Sequence, residues 1–174
     1  QRLQAFSTEA MAQGLVLEMN LADVRTLSVG QVRVGGQVAS YYGTQSLTHN
    51  HQGQEVYGGS TLVVSRGPLE ALLRTRLTGD VRLAVEQALA YHRAALRCYP
   101  GLLASRCNYD IAQGVDAEGR AHSGVLEQSW RIGGASGAEV AALRALRDDP
   151  TLQDRKSTRL NSSHTDISRM PSSA

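Results

Sequence analysis

The sequence predicts an α+β domain with a mostly antiparallel sheet and packed helices. Three observations carry this. Short runs alternate apolar and polar residues, one long segment has helical apolar spacing, and the elements follow the order β-ββ-β-α-ββ-α.

In chain order, "STEAMAQ" (7–13) opens on cap-like hydroxyl residues and predicts a short helix. "GLVLEM" (14–19) reads as a buried strand. "TLSVGQVRV" (26–34) alternates, turns at Gly35-Gly36 and returns through "QVASYYGTQ" (37–45), which predicts an antiparallel hairpin. "SLTHNHQGQEVYGGS" (46–60) is polar and glycine-rich and predicts a loop. "TLVVSRG" (61–67) is a further strand. Pro68 can start a helix through "LEALLRTR". The helix over 80–99 takes Asp80 as its N-cap and buries a stripe of Val81, Val85, Ala88, Leu89, His92 and Leu96 before Pro100-Gly101 ends it. Two strands flank a turn at 117–120. A glycine-rich corner (133–137) leads into a last helix (137–146), closed by Asp148-Asp149-Pro150.

From Asp154 the character changes. "DRKSTRLNSSH" and "SRMPSSA" resemble a sequencing adapter translated in frame, so one domain is expected over 1–153 and a disordered, non-native tail over 154–174. The whole chain has 18 Lys/Arg and 16 Asp/Glu; setting aside the four basic and two acidic residues of the tail leaves 14 of each. A neutral domain removes the electrostatic case for nucleic acid. No apolar run approaches the length of a membrane span. Cys98 and Cys107 fit neither a zinc spacing nor a disulfide framework, and two isolated thiols suit a reducing, cytoplasmic setting.

The chemistry concentrates in "CNYDIAQG" (107–114) and "VLEQSWRIGG" (125–134). As a hairpin around 117–120, these segments pair so that partner numbers sum to 237, and Asp110 falls opposite Glu127. Directly opposed side chains have Cβ atoms about 4.5–5.5 Å apart, and like charges there destabilise the sheet. Alternation puts Cys107, Tyr109, Ile111, Leu126 and Trp130 on the core face. Arg106, Asn108, Asp110, Glu127, Ser129 and Arg131 take the other. Facing carboxylates beside a guanidinium suit Mg²⁺, which binds hard oxygens at about 2.0–2.1 Å, together with an anion held by Arg131. A solvated hairpin face with ordinary ion pairs is the competing reading, and a slip of one residue in register would separate the carboxylates.

Those residues resemble the closing motifs of the ATP-grasp superfamily, in which an Asp on one strand precedes Glu-x-Asn-x-Arg on the next. Asp110, Glu127 and Arg131 match, and Ser129 stands where Asn is usual. "GLVLEMNLADVRTLSVGQVRVGG" resembles that fold's hinge strand and hairpin, with Glu18 matching its Glu. "SYYGTQ", "VYGGS", "ASRCNYDIAQG" and "SGVLEQSWRIGGASGAE" resemble more closely a bacterial family of unknown function that is often labelled biotin-carboxylase-like. The resemblance implies the C-terminal part of an ATP-grasp ligase domain that binds ATP and Mg²⁺ and activates a small-molecule carboxylate as an acyl phosphate. Under it Asp110 and Glu127 hold the metal, Arg131 stabilises the transferring phosphoryl group, and Asn108, Ser129, Leu17, Glu18 and Met19 contact the nucleotide. Phosphate-binding lysines are expected upstream of Gln1, so turnover of ATP is not expected from this chain alone. Arg25 and Ser129 depart from the family pattern and favour the alternative of a binding module without turnover. A metal-dependent hydrolase using the same carboxylates is the third reading.

Other candidates carry less. His49 and His51 form a His-x-His pair without a third ligand nearby in sequence. "YGGS" (57–60) offers bare backbone to an anion, or is a plain turn. "IGGASG" (132–137) offers N–H groups at a helix start, or is a simple corner. His92 and Trp130 read as packing residues.

Overall fold

The computed structural model describes Gly14 and residues 18–160. Six antiparallel strands form one sheet in the order β5-β4-β1-β2-β3-β6. They are β1 (Ala22–Val34), β2 (Gln37–His49), β3 (Glu55–Arg66), β4 (Arg106–Val115), β5 (Ala121–Ser129) and β6 (Asp154–Leu160). The helices are α1 (Leu69–Leu72), α2 (Gly79–Cys98) and α3 (Ser136–Asp148). The α+β class with an antiparallel sheet is therefore observed. Among the described residues no helix is long and apolar enough to cross a membrane.

The β1–β2 hairpin turns at Gly35 and Gly36, whose φ angles are +55° and +77°. A two-residue turn of this hand needs positive φ at both positions, which glycine adopts without a Cβ clash. Helices cover both sheet faces. On one, α1 and α2 pack Leu69, Leu72, Val81, Ala84, Val85, Ala88 and Leu89 onto Leu27, Val29, Cys107, Tyr109 and Ile111. On the other, α3 packs Ala138, Ala142, Leu143 and Leu146 onto Val32, Ala39, Tyr41, Leu62 and Val64. With only 13 residues, at about 1.5 Å each, α3 is too short to cover its whole face.

Several elements differ from the sequence reading. The helix expected over 7–13 lies outside the described residues, as do 15–17 of the expected strand 14–19. The remaining members of that strand, Gly14, Glu18 and Met19, are exposed and outside any regular element. The loop expected over 46–60 is only a short turn between β2 and β3, whose polar ends pair Thr48 with Val56 and His49 with Glu55. Ladder hydrogen bonds come from the backbone, so side-chain polarity did not end these strands. Thr78, not Asp80, occupies the N-cap of α2; its hydroxyl donates to Asp80 Oδ1. Leu96 lies beyond the sheet contact and is exposed. The tail begins as structure: β6 pairs antiparallel with β3 from Ser65–Asp154 to Gly59–Leu160. The expectation of disorder is thus corrected for 154–160, because β3 presents an unpaired edge that any extended chain can satisfy. Residues 161–174 lie outside the described set.

Candidate functional site

Two rows of side chains cross the sheet on the α3 face. One runs Ser129, Asn108, Gly30, Tyr41, Val64; the next runs Glu127, Asp110, Ser28, Gly43, Leu62. Asp110 stands opposite Glu127, the pairing the sequence predicts. Just beyond it the register slips by one, so that Ile111 pairs with Val125. Leu126 is the extra residue of this bulge, and it is 55% exposed instead of joining the core face. Trp130 stays partly buried against the α2 core.

Beside the corner that leads into the N-terminus of α3, a cavity of about 350 Å³ opens. Its floor is Ser28, Gln45, Ser60, Asn108 and Asp110. Glu127, Ser129 and Arg131 form one wall, and Tyr57 with Gly133, Gly134 and Ala135 another. Tyr57 leans on bare backbone at Gly134, where an added Cβ would lie 2.7 Å from its ring. Its hydroxyl meets Ser60 Oγ at 2.7 Å. At the corner before α3, the Gly133 N–H donates to Ser136 Oγ at 2.9 Å.

Asp110 Oδ1 accepts from Ser28 Oγ at 2.8 Å and from Asn108 Nδ2 at 3.0 Å. Its Oδ2 has no hydrogen-bond partner among the described residues. Glu127 is loosely paired with Arg131 at 4.0 Å, and their side chains are 60% and 71% exposed. Arg106, by contrast, is buried. Its Nε reaches both oxygens of Glu139 at 3.1 and 2.8 Å, and its Nη1 donates to the carbonyl of Arg131. Glu139 lies in the first turn of α3 and is 2% exposed. Burial works against the Arg106 charge, but the hydrogen bonds and charge of Glu139, with Tyr41, outweigh it, and its pKa is raised. Burial first, then the Glu139 charge, push the Tyr41 phenol well above its usual range.

The candidates from the sequence fall into two groups. Asn108, Asp110, Glu127, Ser129 and Arg131 share this cavity, with parts of "YGGS" and "IGGASG". Glu18 and Met19, expected on the adenine side, do not line it, and Leu17 lies outside the described residues. His49 and His51 are at the far, exposed end of the β2–β3 hairpin. His92 packs beneath the opposite face, its Nδ1 2.9 Å from the Tyr109 hydroxyl, which also accepts from Trp130 Nε1 at 3.2 Å. Sequence reading missed Ser28 and Gln45, which become site residues only through their place in the β1–β2 register. The one available signal was that both sit on the alternation that carries Gly30 and Tyr41.

Among the described residues no three His, Cys, Asp or Glu side chains converge as a metal cage. Asp110 and Glu127 are the two carboxylates among the residues that line the cavity, and so the side chains that could hold a cation there. The donor set is oxygen throughout, with no thiol or imidazole, which fits a hard ion such as Mg²⁺ and not zinc.

Fold and site together define an antiparallel α+β domain with helices on both faces and a polar pocket where one face is left bare. The chain belongs to the family described as "Protein of unknown function (DUF3182)", whose model matches residues 1–174. This corrects the ATP-grasp resemblance: no ATP-grasp or biotin-carboxylase family matches the chain. The carboxylate-strand motif that suggested it is short, and any antiparallel hairpin places such residues side by side. No curated protein and no solved structure matches the chain.

Proposed function

We propose that this pocket binds a divalent cation, Mg²⁺, together with the phosphate tail of a nucleotide such as ATP, in the service of phosphoryl transfer to a small-molecule carboxylate. The observation that carries this reading is the direct opposition of Asp110 and Glu127 in the lining of a cavity, with Arg131 beside them. Two like charges in register weaken a sheet, and a shared cation relieves that repulsion. Asp110 Oδ2 and the Glu127 carboxylate would hold the ion. Bound there, Mg²⁺ would neutralise phosphate charge, a role that in such transfers is mainly electrostatic. The exposed Arg131 guanidinium suits the phosphate oxygens. A volume of about 350 Å³ is near the small end for ligand sites, which suits a phosphate tail better than a whole nucleotide.

A binding role without turnover is the second reading. It is favoured by the absence, among the described residues, of a third carboxylate or an imidazole at the cavity. Calorimetric titration with ATP in the presence and absence of Mg²⁺ tests the proposal. Binding should need the ion, and should be lost in Asp110→Asn and Glu127→Gln. Nucleotide binding that is indifferent to Mg²⁺ and to both substitutions would overturn it. Phosphate release stimulated by a carboxylate would then separate an enzyme from a binding module.

A further inference from the structure

We infer that Tyr41 and Asn108 are positioning residues, which aim one oxygen of Asp110 at the cation through a hydrogen-bond chain of fixed direction. The inference rests on the cation-binding reading of the pocket and names residues that reading does not use.

The chain starts at Arg106. A guanidinium only donates, so Tyr41 Oη accepts from Arg106 Nη2 at 3.5 Å. The phenol proton is then directed onward, to Asn108 Oδ1 at 3.0 Å. With Oδ1 engaged, the Asn108 amide must turn its Nδ2 to Asp110 Oδ1 at 3.0 Å. The flipped amide would set oxygen against a carboxylate, so only one orientation satisfies both neighbours. A second arm arrives from β2, where Gln45 Nε2 donates to Ser28 Oγ at 3.4 Å and Ser28 Oγ to the same Oδ1 at 2.8 Å. Both arms end on Oδ1 and leave Oδ2 for the pocket.

Gly30 makes the geometry possible. Tyr41 is paired with Gly30 across the β1–β2 ladder, and its ring lies over that residue, where any Cβ would overlap the phenol. The ring thus crosses β1 to reach Asn108 on β4. Glu139 fixes the start of the chain by gripping Arg106, and the same guanidinium ties down the Arg131 carbonyl. Without the chain, only the Ser28 arm opposes the rotation of Asp110 away from Glu127. Groups that orient a metal ligand typically affect affinity about 10–100-fold when removed.

The test uses the full chain, Mn²⁺ as the probe, and Tyr41→Phe, which keeps the ring and removes the donor. Mn²⁺ binding should weaken by about tenfold or more, with an unchanged circular dichroism spectrum. The Asn108 side-chain amide signals in ¹⁵N NMR should shift and exchange faster. Tyr91→Phe, on the opposite face, should alter neither. If Tyr41→Phe fails to fold, Asn108→Ala removes the last donor directly and should show the same loss of affinity. Unchanged Mn²⁺ affinity in Tyr41→Phe, where Asp110→Asn abolishes binding, overturns the positioning role and leaves the cation site standing. An unmoved Asn108 amide also overturns it. No Mn²⁺ binding by the wild type overturns the cation reading and this inference with it.

Discussion

The two faces of the sheet are built on different principles. The face under α1 and α2 is mainly an apolar core, in which Leu27, Val29, Leu69, Leu72 and Val85 are almost wholly buried and the neutral Gln31, Ser40 and Ser65 are the polar residues buried beside them. The face under α3 buries just as tightly at Tyr41, Leu62 and Val64, but next to them it also buries an ion pair, an amide and a serine: Arg106, Glu139, Asn108 and Ser28. An apolar core is non-directional and tolerates volume-conserving change. A buried polar network specifies orientation, and is costly when one member is missing. The contrast separates a face that holds the domain together from a face that holds side chains in aim.

The largest test of that contrast is Glu139→Ala. It leaves the Arg106 guanidinium buried without its partner, and should cost about 3–5 kcal/mol in urea unfolding. Leu72→Ala on the other face should cost roughly 2–5 kcal/mol through its cavity, and should leave Mg²⁺ and nucleotide binding intact if the faces divide the work as described. If Leu72→Ala weakens ligand binding as much as Glu139→Ala does, the division fails. Gly30→Ala is next: overpacking against Tyr41 should cost about 1–3 kcal/mol, and displacement of the phenol should show in the Asn108 amide spectrum.

A smaller effect belongs to the apolar face alone. Burial, with Arg33 and Arg93 adding to it and Glu70 opposing, holds His92 below its usual pKa. The folded state therefore binds a proton less readily than the unfolded chain. The stability contributed is complete above the unfolded value, about 6.5, and is lost as pH falls through the lower folded value. The urea midpoint should fall between pH 7 and pH 5, and His92→Leu should flatten that slope. The smallest effect has the opposite sign to the rest. Glu127→Gln relieves a like-charge pair and should raise stability by about 0.2–1 kcal/mol, while weakening cation binding. A loss of stability there would show that the pair is not held in opposition in solution.

Much of the site was legible because a strand's alternation and a hairpin's turn are local. The spacing around 117–120 put Asp110 against Glu127, and the bulge at Leu126 falls one residue beyond that pair, so it moved a core residue without disturbing the site. Arg106 was placed on the correct face, but its burial was not foreseen. Its partner Glu139 lies 33 residues away on another element, and no periodicity links the two. Glu18 and Met19 were assigned through a resemblance and not through any pattern of their own, and they fall away from the pocket.

Local patterning is enough to specify the α+β class, the antiparallel β4–β5 pairing and the set of polar residues on one strand face, since period-two alternation and turn chemistry act within a few residues. Long-range packing sets which part of that face α3 covers, carries Tyr41 across Gly30 to Asn108, and brings 154–160 to the β3 edge. Those outcomes depend on which distant segments compete for the same surface and the same unpaired backbone groups.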